Sequence, residues 1–478
     1  MKYLQGLIVI AIFIIISSGC KVAAPVQMPV VKEIPDTFGL RKDSFSMATV
    51  PWRDFFTDPQ LKMLIDTAIK NNPDLLIAIQ RIEVARAQVA LSRGAMLPSL
   101  DGIASAGFDK YGKYTMNGVG NDDTNLSPNI TKEQHIPSPT PDYFLGLRSS
   151  WEIDVWGKLR ERNKAAIARL LASEKGRQYV VTELVAEVAS MYYSLLALDN
   201  ELVIIKRNIE LQEKAVEIVQ AQKAGGRATE LAVQQFAAQL LNTRAIEFRT
   251  RQYLTATENQ LNAIIGRYPQ KIERDSSIMK QGLPTNLQVG LPADLLLNRP
   301  DIQEAEFSLR AAEADVKAAR AAFLPSLTLS PYVGFNSFNA SMFFNPASIA
   351  FGLIGGLTAP IFNNNQIKAG YAIANATNKE AVYQYQKAIL NGFSETMTNL
   401  SNIYNNEQSF SLKEKEVSEL AKAVSTANEL YLTGYASYLE VITAQKGVLE
   451  AELQLTNQKK DIFQAMISLY RTLGGGWN

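Results

Sequence analysis

The sequence predicts a mostly α-helical protein that also carries a transmembrane β-barrel segment, with both parts built from two copies of one plan. Three observations predict it: an internal duplication through most of the chain, four short segments with two-residue hydrophobic alternation, and helices far longer than globular ones.

The duplication is read from ordered matches. Asn72-Pro73-Asp74-Leu75 recurs as Arg299-Pro300-Asp301-Ile302, and Leu97-Pro98-Ser99-Leu100 as Leu324-Pro325-Ser326-Leu327, both at an offset of 227. Leu159-Arg160 then aligns with Ile367-Lys368, Gly226-Arg227-Ala228-Thr229-Glu230-Leu231 with Gly434-Tyr435-Ala436-Ser437-Tyr438-Leu439, and Gly266 with Gly474, all at an offset of 208. The offset changes because the first copy carries a longer polar loop, residues 111 to 141. The expected organisation is a signal peptide (1–19), an extended N-terminal segment (20–57), a first repeat (58–266), a linker (267–298), a second repeat (299–474) and a short tail (475–478).

Each repeat reads helix, strand, polar loop, strand, very long helix, turn, helix. The first helix starts near Asp58, is renewed after Pro73 and stops before Pro98; its second copy, residues 300 to 323, is rich in the helix formers Ala, Glu and Arg. After each Pro-Ser-Leu the period becomes two. Ser326, Thr328, Ser330 and Tyr332 alternate with Leu327, Leu329, Pro331 and Val333, and Leu145, Leu147, Trp151 and Ile153 alternate with Arg148, Ser150 and Glu152. Such alternation with aromatics near the ends suits a transmembrane barrel strand, whereas an isolated soluble hairpin is marginal. Four strands per chain cannot close a barrel, since the smallest have about eight. A membrane-spanning reading therefore demands an oligomer, and a trimer supplies twelve strands.

From residue 156 to about 222 neither proline nor a turn cluster interrupts the chain, which at about 1.5 Å per residue approaches 100 Å of helix. Val181, Leu184, Val188, Met191, Leu195, Leu198, Leu202, Ile205 and Ile209 recur at spacings of three and four, a coiled-coil seam. Gly225-Gly226 ends it and a second helix returns over residues 228 to 265; the second copy runs from 367 to 432, turns at Gly434 and returns to 473. Helices this long suit a tube or stalk.

The N-terminus reads as an export signal. Lys2 precedes an apolar run from Leu4 to Ile16, which ends in Ser17-Ser18-Gly19 before Cys20, the one cysteine in the chain. Small residues directly before a cysteine resemble a bacterial lipoprotein signal, with Ser17 departing from the usual leucine, so a covalent lipid on Cys20 is expected. An ordinary signal peptide or anchor helix with an incidental cysteine is the alternative. No later run of about 18 apolar residues appears, so any membrane span is expected to use strands.

Composition excludes other classes. With 48 basic and 47 acidic residues the net charge is +1, which removes the field that nucleic-acid binding needs. One histidine, His135, and one cysteine rule out clustered His/Cys metal sites and a Cys/His dyad. Gly474-Gly475-Gly476 lacks the lysine and following helix of a phosphate loop. No enzymatic activity, metal or cofactor is expected.

These features resemble the TolC/OprM-like outer-membrane efflux family, in particular its lipoprotein (NodT-like) branch serving RND multidrug efflux systems. The resemblance rests on the duplicated Leu-Pro-Ser-Leu, on the stretch from Trp151 through Asp154, Trp156 and Gly157 to Arg160, on its counterpart from Leu357 to Phe362, on the stretch from Tyr431 to Val441, and on Trp52-Arg53-Asp54-Phe55-Phe56. It implies a homotrimer with a twelve-stranded barrel in the outer membrane of a Gram-negative bacterium and a helical coiled-coil tunnel in the periplasm. It also implies, as partners, an inner-membrane RND transporter that drives export and a periplasmic adaptor that joins it to this passive exit for small molecules. The resemblance places Tyr431, Glu440 and Thr443 near a periplasmic gate; Thr443 stands where the family often has a second acid. The alternatives are core packing for Tyr431 and a solvated helix-face glutamate for Glu440. Adaptor contact is implied at the turns Gly225-Gly226-Arg227 and Thr433-Gly434-Tyr435, which also read simply as helix stops. A type I secretion channel for proteins and a poreless coiled-coil lipoprotein scaffold are the rival readings; the alternating segments oppose the scaffold.

Overall fold

Proline sets where each repeat begins, because its fixed φ and missing N–H suit the first helical position and bar the helix before it. The computed structural model describes residues 27, 29–30, 32–38, 46–274, 277–282 and 289–477; Cys20 and the signal lie outside the described residues. In the first repeat Asp58 caps α1 (Pro59–Asn71), its carboxylate accepting from the Gln60 amide at 2.8 Å, and α2 (Pro73–Gly94) follows. Then come β1 (Ser99–Asp109), α3 (Met116–Asn125), β2 (Thr140–Ile153), α4 (Lys158–Ala224) and α5 (Glu230–Ile264). The second repeat gives α6 (Pro300–Ala321), β3 (Ser326–Ser337), β4 (Ile349–Thr358), α7 (Gln366–Thr433) and α8 (Tyr438–Thr472).

The chain divides into two compact units. Residues 84–170 and 308–382 make the first, with a four-stranded antiparallel sheet in the order β1-β2-β3-β4. The central β2/β3 pairing joins the two repeats, with Leu147 opposite Val333 and Trp151 opposite Leu329. Register sorts the side chains by chemistry. Leu100, Leu147, Val333 and Phe351 are successive partners across the four strands or lie two residues from them, and that face continues through Phe108, Leu145, Leu329, Leu353 and Leu357. The opposite face carries Ser99, Asp101, Ser105, Arg148, Ser150, Glu152, Thr328, Ser330 and Asn336. Where β2 passes into α4, Asp154 accepts from the Leu159 and Arg160 amides at 3.1 and 2.8 Å, and the Trp156 indole donates to the Pro325 carbonyl at 2.7 Å.

The second unit, residues 30–83, 171–307 and 383–478, holds the main core. Phe55 stacks on Tyr470 with centroids 4.1 Å apart, and Tyr193 on Phe463 at 4.4 Å. Phe55 and Phe56, from the N-terminal run singled out in the sequence, are 2% and 0% exposed. Here the duplication becomes a repeated cap. The Asn72 amide donates to the last helical carbonyl of α5, Ile264, at 2.8 Å, and Arg299 donates to that of α8, Thr472, at 3.0 Å. Each acceptor is the other's equivalent at the offset of 208. Beside each cap the chain passes so closely that only glycine fits. A Cβ on Gly266 (φ +73°) would lie 2.3 Å from the Asn71 carbonyl oxygen, and one on Gly474 (φ +97°) 2.4 Å from that of Asn298.

Three sequence expectations change. The insert of residues 111 to 141 is not all loop: the Thr115 hydroxyl caps α3 by accepting from the Gly118 amide at 3.1 Å, and Asn125 exchanges hydrogen bonds with Ile136 at 2.8 and 2.9 Å. The seam of α4 broadens, since Val188, Ala189, Tyr192, Tyr193, Leu195, Leu196 and Ala197 are all at most 2% exposed, a segment enclosed on most sides. One 18-residue window of α4 is apolar enough on average to cross a bilayer, but 61% of it is buried inside the protein, as a core helix is.

Gly474→Ala combines strained φ with a backbone clash and should destabilise the protein by about 2 kcal/mol or more. Gly94→Ala, with nothing near its Cβ, should stay within about 0.5 kcal/mol of wild type. Urea unfolding of both variants checks this, and equal midpoints would refute the close-approach constraint.

Candidate functional site

The residues at the helix turns fall together in the second unit, where α4, α5, α7 and α8 meet. Both turns end a helix in the same way. After α4 the Arg227 amide donates to Gln222 at 2.8 Å and the Gly226 amide to Lys223 at 2.9 Å; after α7 the Tyr435 amide donates to Leu430 at 2.8 Å and the Gly434 amide to Tyr431 at 3.2 Å. This paired pattern satisfies the last carbonyls and needs a left-handed residue, which Gly226 (φ +74°) and Gly434 (φ +82°) supply. Thr229 and Ser437 then cap the returning helices, accepting from the Ala232 and Leu439 amides. Gly225, Gly226, Arg227, Thr433, Gly434 and Tyr435 are all exposed, Tyr435 at 86%.

Val219, Ala232, Phe236, Ala427 and Val441 form the small core that ties the two hairpins, with Tyr431 and Tyr438 packed against it. Tyr431 is half-buried and its hydroxyl donates to Gln222 Oε1 at 2.7 Å, across from α7 to α4; burial raises its phenol above the ordinary value. It therefore both packs and bonds. Gln222 was not visible as its partner in the sequence, because 209 residues separate the two. Glu440 and Thr443 are exposed on the first turns of α8, one helical turn apart. The Ser437 hydroxyl donates to the Glu440 carboxylate, and this bond holds the carboxyl below the ordinary glutamate range. The Ser-x-x-Glu spacing was the available sequence signal for that contact.

The two hairpins are not chemically equivalent. Lys223 stands in the first copy where Tyr431 stands in the second, and it pairs with Glu230. Ala232, the counterpart of Glu440, is 1% exposed and part of the core, while α8 places Val441 there instead. The buried stripe of α8 is thus displaced by one residue from that of α5, and this rotation puts Glu440 outside. Among the described residues no cluster of His, Cys, Asp and Glu is placed to hold a metal ion.

Comparison with known proteins agrees in extent with this architecture. Residues 64–267 and 291–475 match the family described as Outer membrane efflux protein. The probable outer membrane lipoprotein SilC of Salmonella typhimurium is 30% identical over 470 residues, spanning 97% of each chain. The cation efflux system protein CusC of Escherichia coli (strain K12) is 30% identical over 465 residues, spanning 96% of this chain and 97% of CusC. The crystal structure of a membrane protein from Pseudomonas aeruginosa superposes with a TM-score of 0.83 at 26% identity, covering 95% of this chain and all of that one.

Two outcomes are expected at the tip. A double-mutant cycle on Tyr431→Phe and Gln222→Ala, read by chemical unfolding, should return a coupling of about 1 kcal/mol; additive effects would mean the bond contributes nothing. The Glu440 carboxyl should titrate below ordinary glutamates and rise in Ser437→Ala, followed by NMR of glutamate carboxyl carbons; an unmoved midpoint in the variant would refute the serine as the cause.

Proposed function

The chain belongs to the outer membrane efflux protein family, and from that premise we propose that three copies close their sheets into one twelve-stranded barrel through which small molecules leave passively. The protein is an outer-membrane efflux channel that works within a tripartite system, alongside a periplasmic adaptor and an inner-membrane pump. The single observation that carries the trimeric reading is the sheet. Its apolar face stays open within the chain, with Phe108 77%, Phe351 80%, Leu353 68% and Leu357 68% exposed, and its edge strands β1 and β4 each have one neighbour among the described residues.

An apolar face favours lipid, while open backbone edges do not tolerate it, since each unmet N–H or C=O in hydrocarbon costs several kcal/mol. Pairing β4 of one copy with β1 of the next meets both demands and turns the face bearing Arg148, Glu152 and Thr328 toward water. The strands contain 10 to 14 residues, enough for a tilted crossing of about 9 to 11.

At the helix tip, Tyr431 with its bond to Gln222 is the latch between hairpins, and Glu440 with Thr443 lines the closed entrance, where a threefold ring of carboxylates favours cations. The adaptor docks on the turns Gly225-Gly226-Arg227 and Thr433-Gly434-Tyr435; support comes from their exposure and from the open space beside Gly226 and Gly434. Cys20 carries the lipid anchor, supported by its sequence context and by a relative named as a lipoprotein. The energy for export is supplied by the RND-type pump, and no catalytic step belongs to this chain.

Purified protein in a planar bilayer should give single-channel currents, with crosslinking arrested at three protomers. Tyr431→Phe should increase open-channel conductance, and Glu440→Ala should reduce the preference for cations. Phe351→Arg with Leu353→Arg should block membrane insertion, at about 2–4 kcal/mol per charge. Any other oligomer, or a trimer that stays silent in both tip variants, would overturn the reading.

A further inference from the structure

A partly open cavity of about 310 Å³ lies at the helix tip, bordered by α4, α5, α7 and α8. Its walls are largely apolar, with Leu211, Ile218, Phe236 and Val441 among them and Tyr431 on one side. Four carboxamides also line it, those of Asn208, Gln212, Asn428 and Gln445, and two of the four hold buried atoms without a partner. Gln212 is 2% exposed, and neither its Nε2 nor its Oε1 has a hydrogen-bond partner in the protein; Gln445 is 8% exposed, and its Oε1 is likewise unpaired. Buried polar atoms are nearly always paired, so three unpaired ones on residues that line one largely apolar cavity call for a partner that enters from outside.

The duplication shows that the helical packing does not require these amides. At the offset of 208, Gln212 corresponds to Leu420 and Gln445 to Ala237, both apolar. The polar pair belongs to this one cavity. Its chemistry is specific in kind: two acceptors, Gln212 Oε1 and Gln445 Oε1, and one donor, Gln212 Nε2, are the complement of a primary carboxamide, which offers two N–H hydrogens and one carbonyl oxygen. Charge is disfavoured, because the one charged residue lining the cavity is Lys214, whose side chain is solvent-exposed, so an ion inside would lose its hydration without a buried counter-charge.

We propose that this cavity is a binding site for a small neutral amphiphile, an apolar body bearing a carboxamide-like group held by Gln212 and Gln445. Bound there, the ligand fills the space beside Tyr431 and braces the two hairpins against each other. The site depends on the tip of a single chain and stands whether or not the channel reading holds.

The test is a fluorine NMR titration of the full-length protein in detergent, with protein-free micelles as the reference. The probes are 4-fluorobenzamide, 4-fluorotoluene, which lacks the amide, and 4-fluorobenzoate, which carries a charge. Saturable binding of 4-fluorobenzamide is expected, with affinity reduced roughly tenfold in Gln212→Leu and roughly threefold in Gln445→Leu, while 4-fluorotoluene changes by less than about twofold. Both substitutions install apolar residues of the kind the other repeat already carries, and unchanged circular dichroism and oligomeric state would confirm an intact fold. Ala215→Phe, which intrudes on the cavity, should abolish binding of both neutral probes. Absence of saturable 4-fluorobenzamide binding, which would mean that hydration alone serves the amides, equal affinity in wild type and Gln212→Leu, or preferred binding of 4-fluorobenzoate would each overturn the proposal.

Discussion

Backbone hydrogen bonding at the edges of the four-stranded sheet is the constraint on which the rest depends. Register puts Leu100, Phe108, Leu145, Leu147, Val333, Phe351, Leu353 and Leu357 on one exposed face, so that face belongs in an apolar medium. In such a medium the free edges of β1 and β4 cannot remain free. A single chain has no further strand to offer among its described residues. The sheet is therefore one part of a larger closed object, and the need for further copies follows from hydrogen-bond accounting before any family is considered.

The duplication economises on solutions at the other critical points. Each repeat ends a long helix with glycine against the turn that begins the same repeat, and caps its last carbonyl with the residue before proline: Asn72 on Ile264, Arg299 on Thr472. The second cap does more, because Arg299 also pairs with Asp301 at 2.7 Å and Glu395 at 3.0 Å while only 6% of its side chain is exposed. Burying that guanidinium is tolerable because two carboxylates and a carbonyl surround it. The two copies diverge at the helix turns. The one-residue rotation of α8 relative to α5 exposes Glu440, and Tyr431 in place of Lys223 converts a surface ion pair into a bond that crosses between hairpins.

Much of this was legible in one sequence. Prolines 73 and 300 marked the helix starts, Gly226 and Gly434 the reversals, and alternation after Pro98 and Pro325 marked β1 and β3, because each depends on local steric rules or on a period. The helix α3 was missed because its stability comes from a cap and from the Asn125 clasp on Ile136, neither of which leaves a hydrophobic period. The seam of α4 looked narrower than it is, since Tyr192 and Tyr193 lie off the three-four spacing and are buried by Phe463 and Asp58 from distant segments. Among the tip residues, Glu440 and Thr443 were placed by position on a helix, and their surroundings were not.

By itself, the sequence determined the duplicated order of elements, the long helices, the number of strands and the demand for more strands than one chain has, since these rest on periodicity, breakers and counting. Tertiary structure decided which residues meet: that Tyr431 reaches Gln222, that Asn72 and Arg299 occupy the same role, that all four strands share one apolar face, and that Gln212 and Gln445, with unpaired buried amide atoms, line one cavity. Contacts between residues some two hundred positions apart depend on the register and rotation of packed helices, and a shift of one residue, about 100° of helical turn, redirects every side chain.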